Sequence, residues 1–241
     1  MNTISCLLRT LDLIVPERCV GCGTLLCDAR IGPAPVCADC VGRLKPLVGS
    51  RCVRCGVPLI SEEERCLACR EREHAYGTHR SIYGYDAAMA ALIGAYKSRG
   101  IKTLGVFFAE ILRREWERSG SSSVVVPVPG NPAGVRRRGW DHCSVIAEVM
   151  ARRYRVPVRD CLKRSPGRRQ KELGYAERQR NLSGKIAIRE GRRVRVDDIV
   201  GAPVTLIDDV YTTGATVEEC AHVLRGRGAG TIDVLTIAMD L

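Results

Sequence analysis

Apolar residues along this chain fall into two rhythms, short continuous runs and helical repeats, which follow one another in turn. Ser81 to Tyr85 reads as a short strand, after which Met89, Leu92, Ile93 and Tyr96 recur at helical spacing up to Lys97-Ser98-Arg99-Gly100. A second helix is predicted from about Thr103 to Trp116. Val124-Val125-Val126-Pro127-Val128-Pro129 is an apolar strand stopped by prolines. Arg136-Arg137-Arg138-Gly139 precedes a further helix carrying Val145, Ile146, Val149 and Met150. Pro203 to Ile207 starts a strand after Gly201, and Val217, Cys220, Ala221 and Leu224 mark a helix that Gly226 and Gly228 end. Thr231 to Ala238 forms the last strand. Strands alternating with helices predict an α/β fold, a mostly parallel sheet flanked by helices with ligands beyond the strand C-termini. No G-x-G-x-x-G follows any of these strands, which counts against a dinucleotide fold.

The first 76 residues read differently. Ile4, Leu7, Leu8, Leu11 and Ile14 have helical spacing, and Arg9 and Asp12 interrupt them. That stretch is too short and too charged for a signal peptide or a membrane span, so it reads as an amphipathic helix of a cytoplasmic protein. Of the 13 cysteines, eight form four C-x2-C pairs: Cys19/Cys22, Cys37/Cys40, Cys52/Cys55 and Cys66/Cys69. Each pair aims two thiolates at one metal, and two pairs complete a tetrahedral zinc site with no coordination position open for chemistry. Disulfides are the competing reading, opposed by the knuckle spacing and the lack of a secretion signal. Pairing can be sequential or interleaved, with one or two zinc ions, and Cys27 is a spare for the first site. Cys6, Cys143, Cys161 and Cys220 stand alone as small hydrophobes. The polar stretch between Arg70 and His79 divides a ribbon domain, residues 1–76, from an α/β domain, residues 77–241.

The chemistry concentrates in Leu206 to Thr216, an apolar strand ending in Asp208 and Asp209, a small loop, and a helix with Thr216 as its N-cap. Adjacent carboxylates accept hydrogen bonds from vicinal ribose hydroxyls. The amides of Thr212, Thr213, Gly214, Ala215 and Thr216, with the helix dipole behind them, suit a 5-phosphate. A plain polar loop with a capped helix is the bland alternative. Asp197-Asp198 shows what it looks like, an acid pair with no such loop after it.

The run LIDDVYTTGAT resembles the phosphoribosyl pyrophosphate (PRPP) signature of the type I phosphoribosyltransferases. With the four knuckles, Tyr96-Lys97-Ser98-Arg99-Gly100, Pro127-Val128-Pro129, Arg136-Arg137-Arg138-Gly139-Trp140, and Gln170, Leu173, Glu177, Arg178 and Asn181, it resembles the competence protein F (ComF) family from about Leu11 onward. The resemblance implies a zinc ribbon on a type I phosphoribosyltransferase-like domain. In it Asp208 and Asp209 hold the ribose, the loop holds the 5-phosphate, and Mg2+ arrives with PRPP. Tyr211 receives no role. The pyrophosphate side would be the backbone of Val128, Pro129 and Gly130, with Arg136, Arg138 and Lys97 neutralising charge; solvated surface is the alternative for each arginine. Trp140-Asp141-His142 departs from the usual Phe-Asn-Gln of the family, and Gly130 to Gly134 from its longer basic stretch.

Net charge of +11 favours anionic partners, and two zinc sites of four thiolates each would still leave about +7. The basic segment Lys163 to Lys171 reads as a flap over phosphates or as a nucleic-acid contact. Two functions therefore compete: a phosphoribosyltransferase with an unknown acceptor, and a single-stranded-DNA-binding accessory factor of DNA uptake, with an uptake helicase among its implied partners. Aromatic residues at 5% offer little base stacking to the second.

Overall fold

The structure is a computed structural model that describes residues 17–26, 34–60, 63–120, 122–165, 184–189 and 197–241. The predicted N-terminal helix, Cys6, Cys27, Gln170, Leu173, Glu177, Arg178, Asn181 and most of the basic segment lie outside these residues. Among the described residues no helix is long and apolar enough to cross a membrane.

Four parallel strands form the central sheet: β1 (His79–Gly84), β2 (Val124–Pro127), β5 (Val204–Tyr211) and β6 (Ile232–Met239), in the order β1-β6-β5-β2. A small antiparallel pair, β3 (Leu162–Arg164) and β4 (Ile186–Ile188), stands apart from it. Both faces of the sheet are covered, which is why its strands read as unbroken apolar runs rather than alternating ones. On one face Val125, Ile207, Leu235 and Ile237 pack with three helices: α3 (Ala87–Lys97), α4 (Leu104–Arg118) and α6 (His142–Tyr154). On the other, Val126, Leu206 and Val234 meet Val217, Cys220, Ala221 and Leu224 of α7 (Ala215–Gly226), together with Cys161 and Leu162.

Three expectations change. The strand before the loop does not end at the acid pair; β5 continues to Tyr211, because Val210 and Tyr211 pair in register with Ala238 and Met239 of β6. Pro132–Arg138 is itself a helix, α5, with Asn131 accepting from Ala133 N–H and Pro132 at its first turn, where a missing N–H costs nothing. Gly139 closes it in the left-handed conformation, φ 76°. The N-cap of α7 is Gly214 rather than Thr216, with φ 73° and no side-chain cap bond. A side chain at 214 would also overlap the Tyr211 phenol.

The cysteine-rich region sits along the β1 edge. Its two short helices are α1 (Ala38–Gly42) and α2 (Leu67–Arg70), each entered directly from a cysteine, Cys37 and Cys66. Residues 45–47 pair with β1: Leu47 N–H donates to Ile82 C=O at 2.9 Å and Gly84 N–H to Lys45 C=O at 3.3 Å. Arg51 and Arg54 reach across to main-chain carbonyls of Ser81 (2.7 Å) and of Tyr76 and Gly77 (3.1 and 2.7 Å). The chain through the expected boundary is not a loose linker, since Ala75 and Tyr76 are buried.

Phe108 is fully buried against Tyr96 and Phe107 where α3 and α4 meet the sheet. Phe108→Ala should lower unfolding free energy by about 3–5 kcal/mol, measured from the urea midpoint, with zinc content unchanged.

Candidate ribose-phosphate site and zinc ribbons

Parallel packing brings the C-terminal ends of β5 and β2 side by side, and Val128 N–H extends the ladder by donating to Ile207 C=O at 2.9 Å. Val128, Pro129 and Gly130 thus lie buried beside Asp208 and Asp209. Gly130 is held there by Asp141, whose Oδ2 accepts its N–H at 2.7 Å. A Cβ at 130 would meet that carboxylate and the His142 ring at 2.9 and 3.1 Å, so this backbone needs glycine. Asp141 also caps α6 through Oδ1, accepting from Cys143 N–H at 3.0 Å and Ser144 N–H at 3.4 Å.

The start of α6 and the end of α3 converge on the acid pair. Lys97, the last residue of α3, makes an ion pair with Asp209 Oδ2. His142 Nε2 is 3.4 Å from Asp209 Oδ1, and the Cys143 thiol donates to Asp208 Oδ1 at 3.3 Å. Tyr96 hydroxyl donates to His142 C=O at 2.8 Å, fixing the first turn of α6 from below. Burial alone would raise the pKa of Asp209, but His142 and Lys97 outweigh it and hold the carboxyl well below the usual range. Asp208 goes the other way: burial, with the charge of Asp209 added, pushes it up to about 7. Burial and the two carboxylates push the Cys143 thiol well above its ordinary value, so it is a protonated donor.

Sequence reading puts Asp208 and Asp209 on the ribose and Lys97 on the pyrophosphate side, and the structure brings Lys97 onto the acid pair itself. Lys97 is engaged by Asp209 rather than standing free. Asp141 and Cys143 belong to the cluster but carry no site role in the sequence reading, whereas His142 offers itself there as a general acid or base with a structural histidine as the stronger alternative; an Asp directly ahead of a helical run is the capping signal that marks their position. Arg138 lies 3.4 Å from His142 Nδ1 and over Trp140, whereas Arg136 and Arg137 are exposed. Arg164, on β3, is half-buried, and the field of Asp208 reaches it.

Beyond β5 the chain turns through Thr212 and Thr213, then Gly214 opens α7. Thr212 is exposed, Thr213, Gly214 and Thr216 are half-buried, and Ala215 is buried. Ala215 N–H is 3.4 Å from Thr213 Oγ1. Gly214, left-handed at the start of α7, puts that helix start shortly after the strand that carries the two carboxylates, and a helix start is where backbone amides can bind an anion.

The eight knuckle cysteines form two sets, Cys19, Cys22, Cys37 and Cys40, and Cys52, Cys55, Cys66 and Cys69, so pairing is sequential. Within each set the sulfurs lie within 4.8 Å of one another. Cys22–Cys37 and Cys55–Cys66 are both 3.7 Å apart, about the edge of a tetrahedron with Zn–S bonds of about 2.3 Å. Thr24 hydroxyl and amide draw Cys22 down to about 6. Burial works against Cys52, yet surrounding amides bring it to about 6 as well. These donor sets fit structural zinc. Cys161 and Cys220 are buried single thiols, as expected, whereas Cys143 is a buried thiol that joins the acid cluster.

Together these features define a two-part protein, a double four-cysteine ribbon braced against a parallel α/β domain with an acid pair and a glycine-opened loop at its strand ends. Residues 10–70 match the double zinc ribbon domain family. The chain is 24% identical to competence protein ComFC of Streptococcus pneumoniae over 84% of its length and 86% of that protein. It is 28% identical to ComFC of Bacillus subtilis, over 84% and 83%. It is 24% identical to DNA utilization protein YhgH of Salmonella typhimurium, over 95% and 100%. Among solved structures, the allosteric regulatory enzyme of purine biosynthesis aligns with 56% of this chain and 26% of that one, at 19% identity and a TM-score of 0.35. Over most of its length the chain is therefore similar to competence proteins of the ComF type and to their DNA-utilization relatives.

Two outcomes follow. Metal analysis of purified protein should find two zinc ions per chain, and Cys22→Ser or Cys55→Ser should each remove one. The raised pKa of Asp208 means its ionisation costs stability as pH rises from about 4 to about 7. Asp208→Asn should therefore match wild type in stability near pH 4 and exceed it by about 1–3 kcal/mol at pH 8, read from urea titrations at both pH values.

Proposed function

We propose that this protein binds PRPP, or a closely related ribose 5-phosphate, as its Mg2+ complex at the end of β5, and transfers the phosphoribosyl group to an acceptor in a process tied to DNA uptake. The observation that carries this reading is that Asp208 and Asp209, near the end of β5, are followed directly by a short turn and the Gly214-opened start of α7. A ribose bearing vicinal hydroxyls and a 5-phosphate has the groups to fill both at once. Competence and DNA-utilization names among its relatives support the biological setting.

In this reading Asp208 and Asp209 accept from the 2- and 3-hydroxyls of the ribose. His142 and Lys97 keep Asp209 ionised and fixed in orientation, so little reorganisation is needed on binding. Amides of Thr212 to Thr216 hold the 5-phosphate. The pyrophosphate lies toward Val128, Pro129 and Gly130, where Arg138 and Arg136 neutralise the charge that develops as the C1–oxygen bond breaks. The acceptor's nucleophilic atom takes the place of pyrophosphate at C1, so no protein nucleophile is required, and Mg2+ brought with PRPP shares the leaving group's charge.

A second reading rests on the exposed arginines of α5 and the basic charge of the chain: single-stranded DNA bound along the domain surface. It predicts affinity that falls steeply with salt and survives loss of the acid pair.

PRPP with Mg2+ at millimolar concentration should raise the melting midpoint by about 3 °C or more, and Asp208→Asn/Asp209→Asn should abolish the rise. No shift in the wild-type protein overturns the ligand assignment. Salt-sensitive DNA binding that persists in the double variant would favour the second reading.

A further inference from the structure

We infer that the second zinc ribbon positions the phosphate loop, through two buried contact chains that run from its metal-ligating cysteines and meet at Gly214. The inference rests on the reading of that loop as the phosphate holder, and goes beyond it by giving the ribbon a part in ligand binding.

The first chain starts at Cys55. Its carbonyl accepts from His79 Nδ1 at 2.7 Å, and the His79 ring stacks on Tyr211, with centroids 3.9 Å apart and planes inclined by 19°. The Tyr211 phenol packs directly against Gly214, leaving no room there for a side chain. Tyr211 hydroxyl is held at 2.9 Å by that of Tyr76, which follows the ribbon in sequence. The second chain starts at Cys69, whose Sγ lies 3.3 Å from His74 Nε2. His74 Nδ1 is 2.9 Å from Glu218 Oε2, and Ala75 N–H donates to Glu218 Oε1 at 2.6 Å. Glu218 N–H in turn donates to Gly214 C=O at 2.9 Å, closing the first turn of α7.

These contacts are more than an interface between two packed bodies. Glu218 is a buried carboxylate, and His74 and Ala75, which follow Cys69 closely in sequence, bond its two oxygens. If the ribbon loses its metal and loosens, Glu218 either follows the ribbon outward or stays buried without those partners. Both responses act on the first turn of α7. Tyr211 is similarly placed, because the ring stacked on it is held to Cys55. Gly214 is in the left-handed conformation with no side-chain cap of its own, so its geometry depends on what packs around it. The first ribbon reaches the α/β domain elsewhere, as where Arg99 donates to Val20 C=O at 3.2 Å near the end of α3. It thus serves as an internal control.

If zinc in the second ribbon orders the loop, a ligand that orders the loop must hold that zinc more tightly, since coupling between two binding sites is reciprocal. The test uses the zinc-loaded full chain and a chromogenic chelator that reports zinc release. With PRPP and Mg2+ saturating, removing half of one of the two zinc ions at equilibrium should take about fivefold or more free chelator than without ligand. Tyr211→Phe and Glu218→Ala should each reduce that protection, and Glu218→Gln, which keeps an acceptor for Ala75 N–H, should restore part of it. If PRPP raises the melting midpoint yet both ions are removed at unchanged chelator concentrations at equilibrium, the inference is overturned while the ligand assignment stands.

A ligand-free arm keeps the two claims separate. Hydrogen exchange at the amides of residues 212–217 should quicken by about tenfold in Glu218→Ala, and on removal of the second ribbon's zinc. Unchanged exchange in a variant that remains folded overturns the positioning role whether or not PRPP binds.

Discussion

Two carboxylates side by side near the end of a central strand repel one another where water solvates them poorly, and the site is organised around holding them. A single ammonium, an imidazole and a thiol meet the pair, and the proton distribution that results is uneven: Asp209 is ionised, while Asp208, with its pKa raised to about 7, is only partly so at neutral pH. Each partner comes from a different part of the fold. Lys97 ends α3, His142 and Cys143 begin α6, and Asp141 ties the start of α6 to Gly130 beyond β2. Packing of α3 and α6 on one sheet face is thus what sets the electrostatics at the strand ends. Mispositioning either helix would leave a buried charge without its counter-charge, a far larger cost than the lost apolar contact.

The ribbons answer a separate constraint. Residues 17–70 hold few large apolar side chains, and a segment of that size does not bury enough surface to stay folded alone. Two four-thiolate clusters that fit structural zinc would supply the missing order once loaded. Docking on β1 adds a second benefit, because the main chain of residues 45–47 pairs with what would be an open sheet edge. The same placement puts His74, Tyr76 and His79 behind the loop that follows β5. His79 is buried and its pKa is lowered to about 4, chiefly by desolvation, so it sits there as a neutral ring.

Much of this was legible from residues alone where the signal is local. Alternating strands and helices pointed to the parallel sheet, because both-face burial leaves unbroken apolar runs. The C-x2-C pairs marked the two four-cysteine clusters, because two thiolates at that spacing suit one metal. What escaped was whatever depends on residues far apart in sequence. Nothing near His142 or Cys143 points to Asp208 and Asp209; only the crossing of α6 over the sheet brings them together. Tyr211 looked free to vary because its partners, Tyr76 and His79, come from much earlier in the chain. Thr216 had the better capping side chain than Gly214, yet the turn demanded the left-handed backbone that glycine tolerates and threonine resists.

The pairing of β1 with β6 has a consequence for how the chain comes into being. Thr78 at the start of β1 bonds Asp233 at the start of β6, 155 residues later, and the ribbons precede both. On the ribosome the knuckles emerge well before Tyr211, Glu218 and β6, and can take up metal ahead of them. For most of synthesis β1 has only residues 45–47 beside it, and the ribbon lacks the Tyr211 and Glu218 contacts. A newly made chain therefore carries a finished metal module ahead of an unfinished domain, and the site matures in a single late step, when the last strand closes the sheet and the loop gains its support.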